Sequence, residues 1–129
     1  MKNLILVIFA SAVISICSVA ASAQVVRIHF APGQTSKVVS GTLTGYKSHK
    51  TFVIYVKKGQ TLTTEAVKKY ITISIKAPPG STYEPDLAAD CHDKNDVSPT
   101  ARGDYKITVT ECLKADPWRG TFKFRVTVN

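Results

Sequence analysis

The stretch Thr121-Phe122-Lys123-Phe124-Arg125-Val126-Thr127-Val128 decides the fold. Phe122, Phe124, Val126 and Val128 share one parity, while Thr121, Lys123, Arg125 and Thr127 share the other. Alternation with period two is the signature of a β-strand, whose successive side chains point to opposite faces of a sheet. This segment therefore reads as a strand with one buried face and one wet face.

Working back from it, the same pattern recurs. Tyr105, Ile107 and Val109 alternate with Asp104, Lys106, Thr108 and Thr110. Ile71, Ile73 and Ile75 alternate with Tyr70, Thr72, Ser74 and Lys76. Phe52, Ile54 and Val56 face away from Val53, Tyr55 and Lys57, and Val26, Ile28 and Phe30 face away from Arg27 and His29. Two weaker strands, rich in threonine and serine, fit Lys37 to Thr44 and Thr61 to Val67. Turn signals stand between them at Pro32-Gly33, Gly45, Gly59, Pro78-Pro79-Gly80, Gly103 and Gly120. Short strands at even spacing, each half apolar, predict an all-β protein: an antiparallel, jelly-roll-like β-sandwich of seven or eight strands. The segment from Ser81 to Arg102 has few apolar residues, five carboxylates and two prolines. It reads as a long loop, with the eighth strand short and centred on Leu87.

The beginning of the chain is different in kind. Met1-Lys2 is a basic start, Leu4 to Ile16 is an apolar run, and Ala21-Ser22-Ala23 fits a small-x-small cleavage site. Residues 1–23 are expected to be a secretory signal peptide, leaving residues 24–129 as a single sandwich domain. The apolar run is too short to span a bilayer comfortably. Cys17 follows Ile16, not the small residue that lipidation requires. Cleavage leaves 106 residues and lowers the net charge from +8 to +7. It also leaves two cysteines, Cys91 and Cys112. The expected location is periplasmic or secreted, where a cysteine pair is expected to form a disulfide, the alternative being two buried thiols. A bridge there closes a loop of about 21 residues and contributes roughly 3 kcal/mol.

Export argues against nucleic acid as the partner that a pI near 9.5 would otherwise suggest. The charge is also unevenly spread. Residues 24–77 carry nine basic residues and one acid, whereas residues 78–129 carry seven basic and eight acidic ones. Within that second half, Glu84 to Asp96 holds five acids and one lysine. Uneven charge of this kind steers charged partners.

The side chains offer little chemistry. The histidines are His29, His49 and His92, and no Gly-x-Ser-x-Gly elbow accompanies them. Carboxylates that might cut a glycoside cluster in one loop with no cleft around them. The chain reads as a non-enzymatic protein with no catalytic residues and no cofactor. Asp90, Cys91, His92, Asp93 and Asp96 offer ligand atoms for calcium, but without an EF-hand's glycine and terminal glutamate; a solvated acidic loop is the reading adopted, with no metal site. Arg102-Gly103-Asp104 spells an adhesion tripeptide and is read as a turn glycine and a strand start. Trp118 and Arg119 lie in a turn between two strands, where the fold demands no burial, and are residue types that dominate interfaces. A tryptophan in such a turn equally fits a cap on the end of the sandwich, and Tyr83, in the long loop, fits the same two readings.

The segment Thr51-Phe52-Val53-Ile54-Tyr55-Val56-Lys57-Lys58-Gly59-Gln60-Thr61-Leu62-Thr63 resembles a Gly-Gln-Thr block of bacterial prepeptidase C-terminal-type domains. Gly103-Asp104-Tyr105-Lys106-Ile107-Thr108-Val109 resembles their later Gly-Asp-Tyr block. Within that group the chain is most similar to the small periplasmic inhibitors of goose-type and invertebrate-type lysozymes. Those share the stretch seen here as Phe30 to Gly41, the Pro78-Pro79-Gly80 turn, and an arginine-bearing turn before the last strand, here Pro117 to Gly120. Some relatives carry a Ser-Gly-x-x-Tyr loop motif, which Ser81-Thr82-Tyr83 does not match. The resemblance implies a lysozyme inhibitor that inserts a loop into the peptidoglycan-binding cleft. The expected partner-binding residues are Ser81, Tyr83, Glu84 and Asp86 on the long loop, with Trp118 and Arg119 on the last turn. The alternative is an envelope module that holds anionic glycan on its basic strands. Either would work as a monomer or, through edge strands, a homodimer.

Overall fold

A computed structural model describes residues 24–45, 47–68, 70–85, 90–113 and 119–129. The proposed signal peptide, Leu87, Asp86 and Trp118 lie outside the described residues. Eight strands form: β1 (Val25–Arg27), β2 (Ser36–Leu43), β3 (His49–Val56), β4 (Leu62–Lys68), β5 (Ile71–Lys76), β6 (Lys94–Val97), β7 (Gly103–Glu111) and β8 (Gly120–Val128). They build two four-stranded sheets, ordered β1-β3-β7-β5 and β2-β8-β4-β6. Odd strands fall in one sheet and even strands in the other, so every connection crosses between sheets.

The two sheets meet on the faces that alternation marks. Phe52, Ile54, Ile71, Ile73, Ile75, Tyr105, Ile107 and Val109 come from one sheet, and Leu43, Leu62, Phe122, Phe124 and Val126 from the other; all are buried. Phe52 meets Phe124 edge-on at 5.3 Å and Phe122 at 6.3 Å across the interface, geometries that aromatic quadrupoles favour. Gly41 is the one glycine without a positive φ. Its role is steric: a Cβ there would lie 2.6 Å from Cζ of Phe122.

Three local expectations are corrected. First, the sheets are not purely antiparallel, because β1 pairs in parallel with β3. Each short crossing reverses the chain, so two crossings bring it back in the same direction. Second, the edge strand β1 is only three residues long, and Val26 is 45% exposed. The expected apolar face meets the core only beyond the strand, at Ile28, whose N–H donates to the Val53 carbonyl at 2.8 Å, and at the partly buried Phe30. Third, the long segment contains a strand at Lys94–Val97, a stretch whose sequence reads as loop. Its inward residues are Asn95 and Val97, so only one of them is visible to hydrophobic periodicity.

The predicted turns at Pro32-Gly33, Gly59 and Pro78-Pro79-Gly80 are present, while Gly103 and Gly120 open β7 and β8. In Pro78-Pro79-Gly80-Ser81 the Ser81 N–H donates to the Pro78 carbonyl at 3.3 Å, and Gly80 has φ of 90°. Proline then glycine at the central positions is what a type II turn requires. The Gly59-Gln60-Thr61 stretch is likewise structural. The Gln60 carboxamide oxygen accepts from Lys57 N–H at 2.9 Å, and Thr61 exchanges backbone hydrogen bonds with Asn129 at 2.8 and 3.1 Å.

Candidate functional site

The connection from β5 to β6 is the unusual part of the fold, and the predicted contact residues begin on it. All other crossings turn the chain back at the end where the previous strand stops. This one leaves β5 at the end that also carries the β3–β4 and β6–β7 turns and enters β6 from the opposite end. That return makes β7 antiparallel to β3 and β5.

Its path is held at both ends. Ser81 is half-buried, and its hydroxyl oxygen accepts from Tyr83 N–H at 3.1 Å. The Tyr83 ring packs against the core, and its hydroxyl donates to Asn95 Oδ1 at 3.4 Å. Glu84 is exposed. At the far end Cys91 N–H donates to Thr72 Oγ1 at 2.9 Å, and Ile73 N–H donates to the His92 carbonyl at 2.8 Å. Cys91 and Cys112 form the expected disulfide, with Cα atoms 4.7 Å apart. An Asp90 carboxylate oxygen accepts from Leu113 N–H at 2.8 Å beside it.

Asn95 closes the side of the sandwich. It is buried in β6, and its amide donates to the Ile73 carbonyl at 2.8 Å and to Thr64 Oγ1 at 3.2 Å. Ile73 belongs to one sheet and Thr64 to the other, so one side chain joins both. A buried polar group without such partners would be costly.

The acidic cluster is therefore partly structural. Asp90 caps Leu113, and Asp96 Oδ1 accepts from the Thr63 hydroxyl at 2.8 Å. Among the described residues the candidate calcium ligands do not converge. The cluster of ligand atoms found is Asp90 with Cys91 and Cys112, whose sulfurs are bonded to each other.

The structure separates the predicted contact residues. Ser81 lines an open groove of about 380 Å³ with Lys58, Gly80, Thr82 and Arg102. Arg119 sits at the opposite end, just before Gly120, which pairs with Leu43. It is exposed there, and the β2–β3 turn at the same end carries a concavity of about 520 Å³ lined by Thr44, Gly45, Lys47 and Ser48. A nine-residue strand such as β8 separates the two ends, roughly 30 Å at 3.3 Å per residue. The arginine-glycine-aspartate tripeptide is tied down. Both Asp104 oxygens accept from Arg27 at 2.9 Å, and a Cβ on Gly103 would lie 2.8 Å from Pro78. Hydrogen bonding to Arg27 holds the Asp104 carboxyl below its ordinary value.

No protein-family model matches the chain, and no curated protein does. Solved structures do. PliG from Aeromonas hydrophila, a periplasmic lysozyme inhibitor of g-type lysozyme, superposes with a TM-score of 0.64 at 19% identity, over 81% of this chain and 96% of that one. PliG from Salmonella Typhimurium superposes with a TM-score of 0.64 at 15% identity, over 84% of this chain and 100% of that one. The pre-peptidase C-terminal domain of a Bacillus anthracis collagenase gives 0.50 at 13% identity, over 85% and 99%. The chain thus has the sandwich fold shared by the PliG inhibitors and the pre-peptidase C-terminal domain.

Proposed function

We propose that the chain is an exported, non-enzymatic protein that inhibits a lysozyme by placing a loop in the peptidoglycan-binding cleft. The observation that carries this reading is the near-complete coverage of the PliG structures, 96% and 100% of their lengths, by this chain. The same likeness and the signal-like residues 1–23 support a periplasmic site of action.

The inserting element belongs to one end of the molecule. The β5–β6 connection offers Ser81, Glu84 and Asp86, with Tyr83 as the internal anchor that docks it. The β7–β8 connection offers Trp118 and Arg119. Both ends cannot enter one cleft, because a strand length separates them.

A turnover assay with goose-, invertebrate- and chicken-type lysozymes tests the reading. Inhibition of at least one by the purified protein is expected, and no inhibition at micromolar protein overturns it. The end that inserts is then read from Glu84→Ala and Arg119→Ala. The substitution at the inserting end weakens inhibition by about 1–2 kcal/mol, and the other leaves it unchanged.

A further inference from the structure

The sandwich has four sheet edges, and three are blunted. β1 is three residues long. β5 has both edge groups of Ile73 occupied, its N–H by the His92 carbonyl and its carbonyl by the Asn95 amide. β6 is four residues long and ends before Pro99. β2 is the exception: eight residues, no proline, and β8 as its single neighbour among the described residues.

The hydrogen-bond parity of β2 follows from its first bond, Val128 N–H to the Thr35 carbonyl at 2.8 Å. In an antiparallel ladder, residues that bond a neighbour alternate with residues that bond away from it. Lys37, Val39, Gly41 and Leu43 therefore direct their backbone groups to β8. Ser36, Val38, Ser40 and Thr42 direct theirs to the open edge. An edge of this length without a proline or an outward charge is a template for another strand.

We propose that this edge pairs with a second copy of the chain about a two-fold axis at Val39, making one continuous eight-stranded sheet. That register is self-complementary. Ser36 lies opposite Thr42 of the other copy and Val38 opposite Ser40, and each such pair exchanges two backbone hydrogen bonds. The side chains that meet on the outer face are uncharged. The one cation on the strand, Lys37, falls opposite Gly41, which has no side chain to oppose it. Its ammonium already donates to the His29 carbonyl at 3.2 Å.

Sedimentation of the exported protein over a concentration series tests this. A reversible monomer–dimer equilibrium is expected. A monomer at every soluble concentration, or species growing beyond a dimer, overturns it. Ser40→Pro removes an edge-directed N–H and no bond to β8, so it is expected to abolish the dimer and leave the unfolding midpoint nearly unchanged. A charge pair checks the register without proline. V38K/S40K sets like charges opposite each other and is expected to be monomeric. V38K/S40E sets opposite charges there and is expected to dimerise at least as well as the unsubstituted chain. Equal association of both variants would place the contact elsewhere.

Discussion

Gly41 and Asp104 show how single residues act in this fold through what lies across the sheet or the core. Gly41 leaves room for the Phe122 ring, which a Cβ would meet at 2.6 Å. The Gly41→Ala protein is expected to lose about 1–3 kcal/mol in urea unfolding, since Phe122 is buried against Phe52 and Phe124 and has little freedom to shift. An unchanged midpoint would show that the ring moves at no cost. Asp104 is held below its ordinary value of 3.8 by hydrogen bonding, and then charge attraction, from Arg27. Its contribution to stability is therefore full above that ordinary value and is lost as pH falls through the lowered one. The NMR titration midpoint of Asp104 is expected below 3.8, and Arg27→Gln is expected to raise it. A midpoint unmoved by that substitution would remove the pair from the account. Neither role is visible in the residues alone: Gly41 is one residue of a weak strand there, and Asp104 is the start of the next strand.

At the scale of elements, alternation marks β2, β3, β4, β5, β7 and β8, because each places at least two apolar residues on one parity, and it marks β1 only through Ile28 and Phe30 beyond its end. It failed at β6, where the inward pair is Asn95 and Val97. Asn95 is buried because its amide meets Ile73 and Thr64 on different sheets, a match that exists only once both sheets are placed. The β5–β6 connection depends on such ties, and the disulfide is the covalent one. It spans 21 residues. Replacing Cys91 and Cys112 with serine is expected to lower stability by about 3 kcal/mol. Hydrogen exchange is expected to rise first at Ile73, whose N–H bonds the carbonyl of His92, the residue next to Cys91. Protection at Ile73 equal to that of the oxidised protein would show that the hydrogen bonds hold the connection without the bridge.

At the scale of the whole molecule, the contrast between a basic first half and an acidic second half does not become two faces. Strands alternate between sheets, so β2 pairs with β8 and β3 with β7, each from opposite halves. Cations stand at both ends, with Lys58 and Arg102 at one and Lys47 and Arg119 at the other. Binding that depended on one continuous charged surface would collapse as salt screens it. Inhibition by an inserted loop is expected to change little between low and high salt, measured as the inhibition constant across a sodium chloride series. A loss of most of the affinity over that series would favour the anionic-glycan reading instead.

The sequence by itself determined the sandwich, its turns and its cysteine pair. These rest on local periodicity, on glycine and proline chemistry, and on the two cysteines that lie beyond residues 1–23. Tertiary structure alone decided the parallel β1–β3 pair, the buried Asn95, the separation of Ser81 from Arg119 and the open edge of β2. Each of these depends on which strands become neighbours, and neighbours far apart in the chain are chosen by how two sheets pack, not by any segment's own pattern.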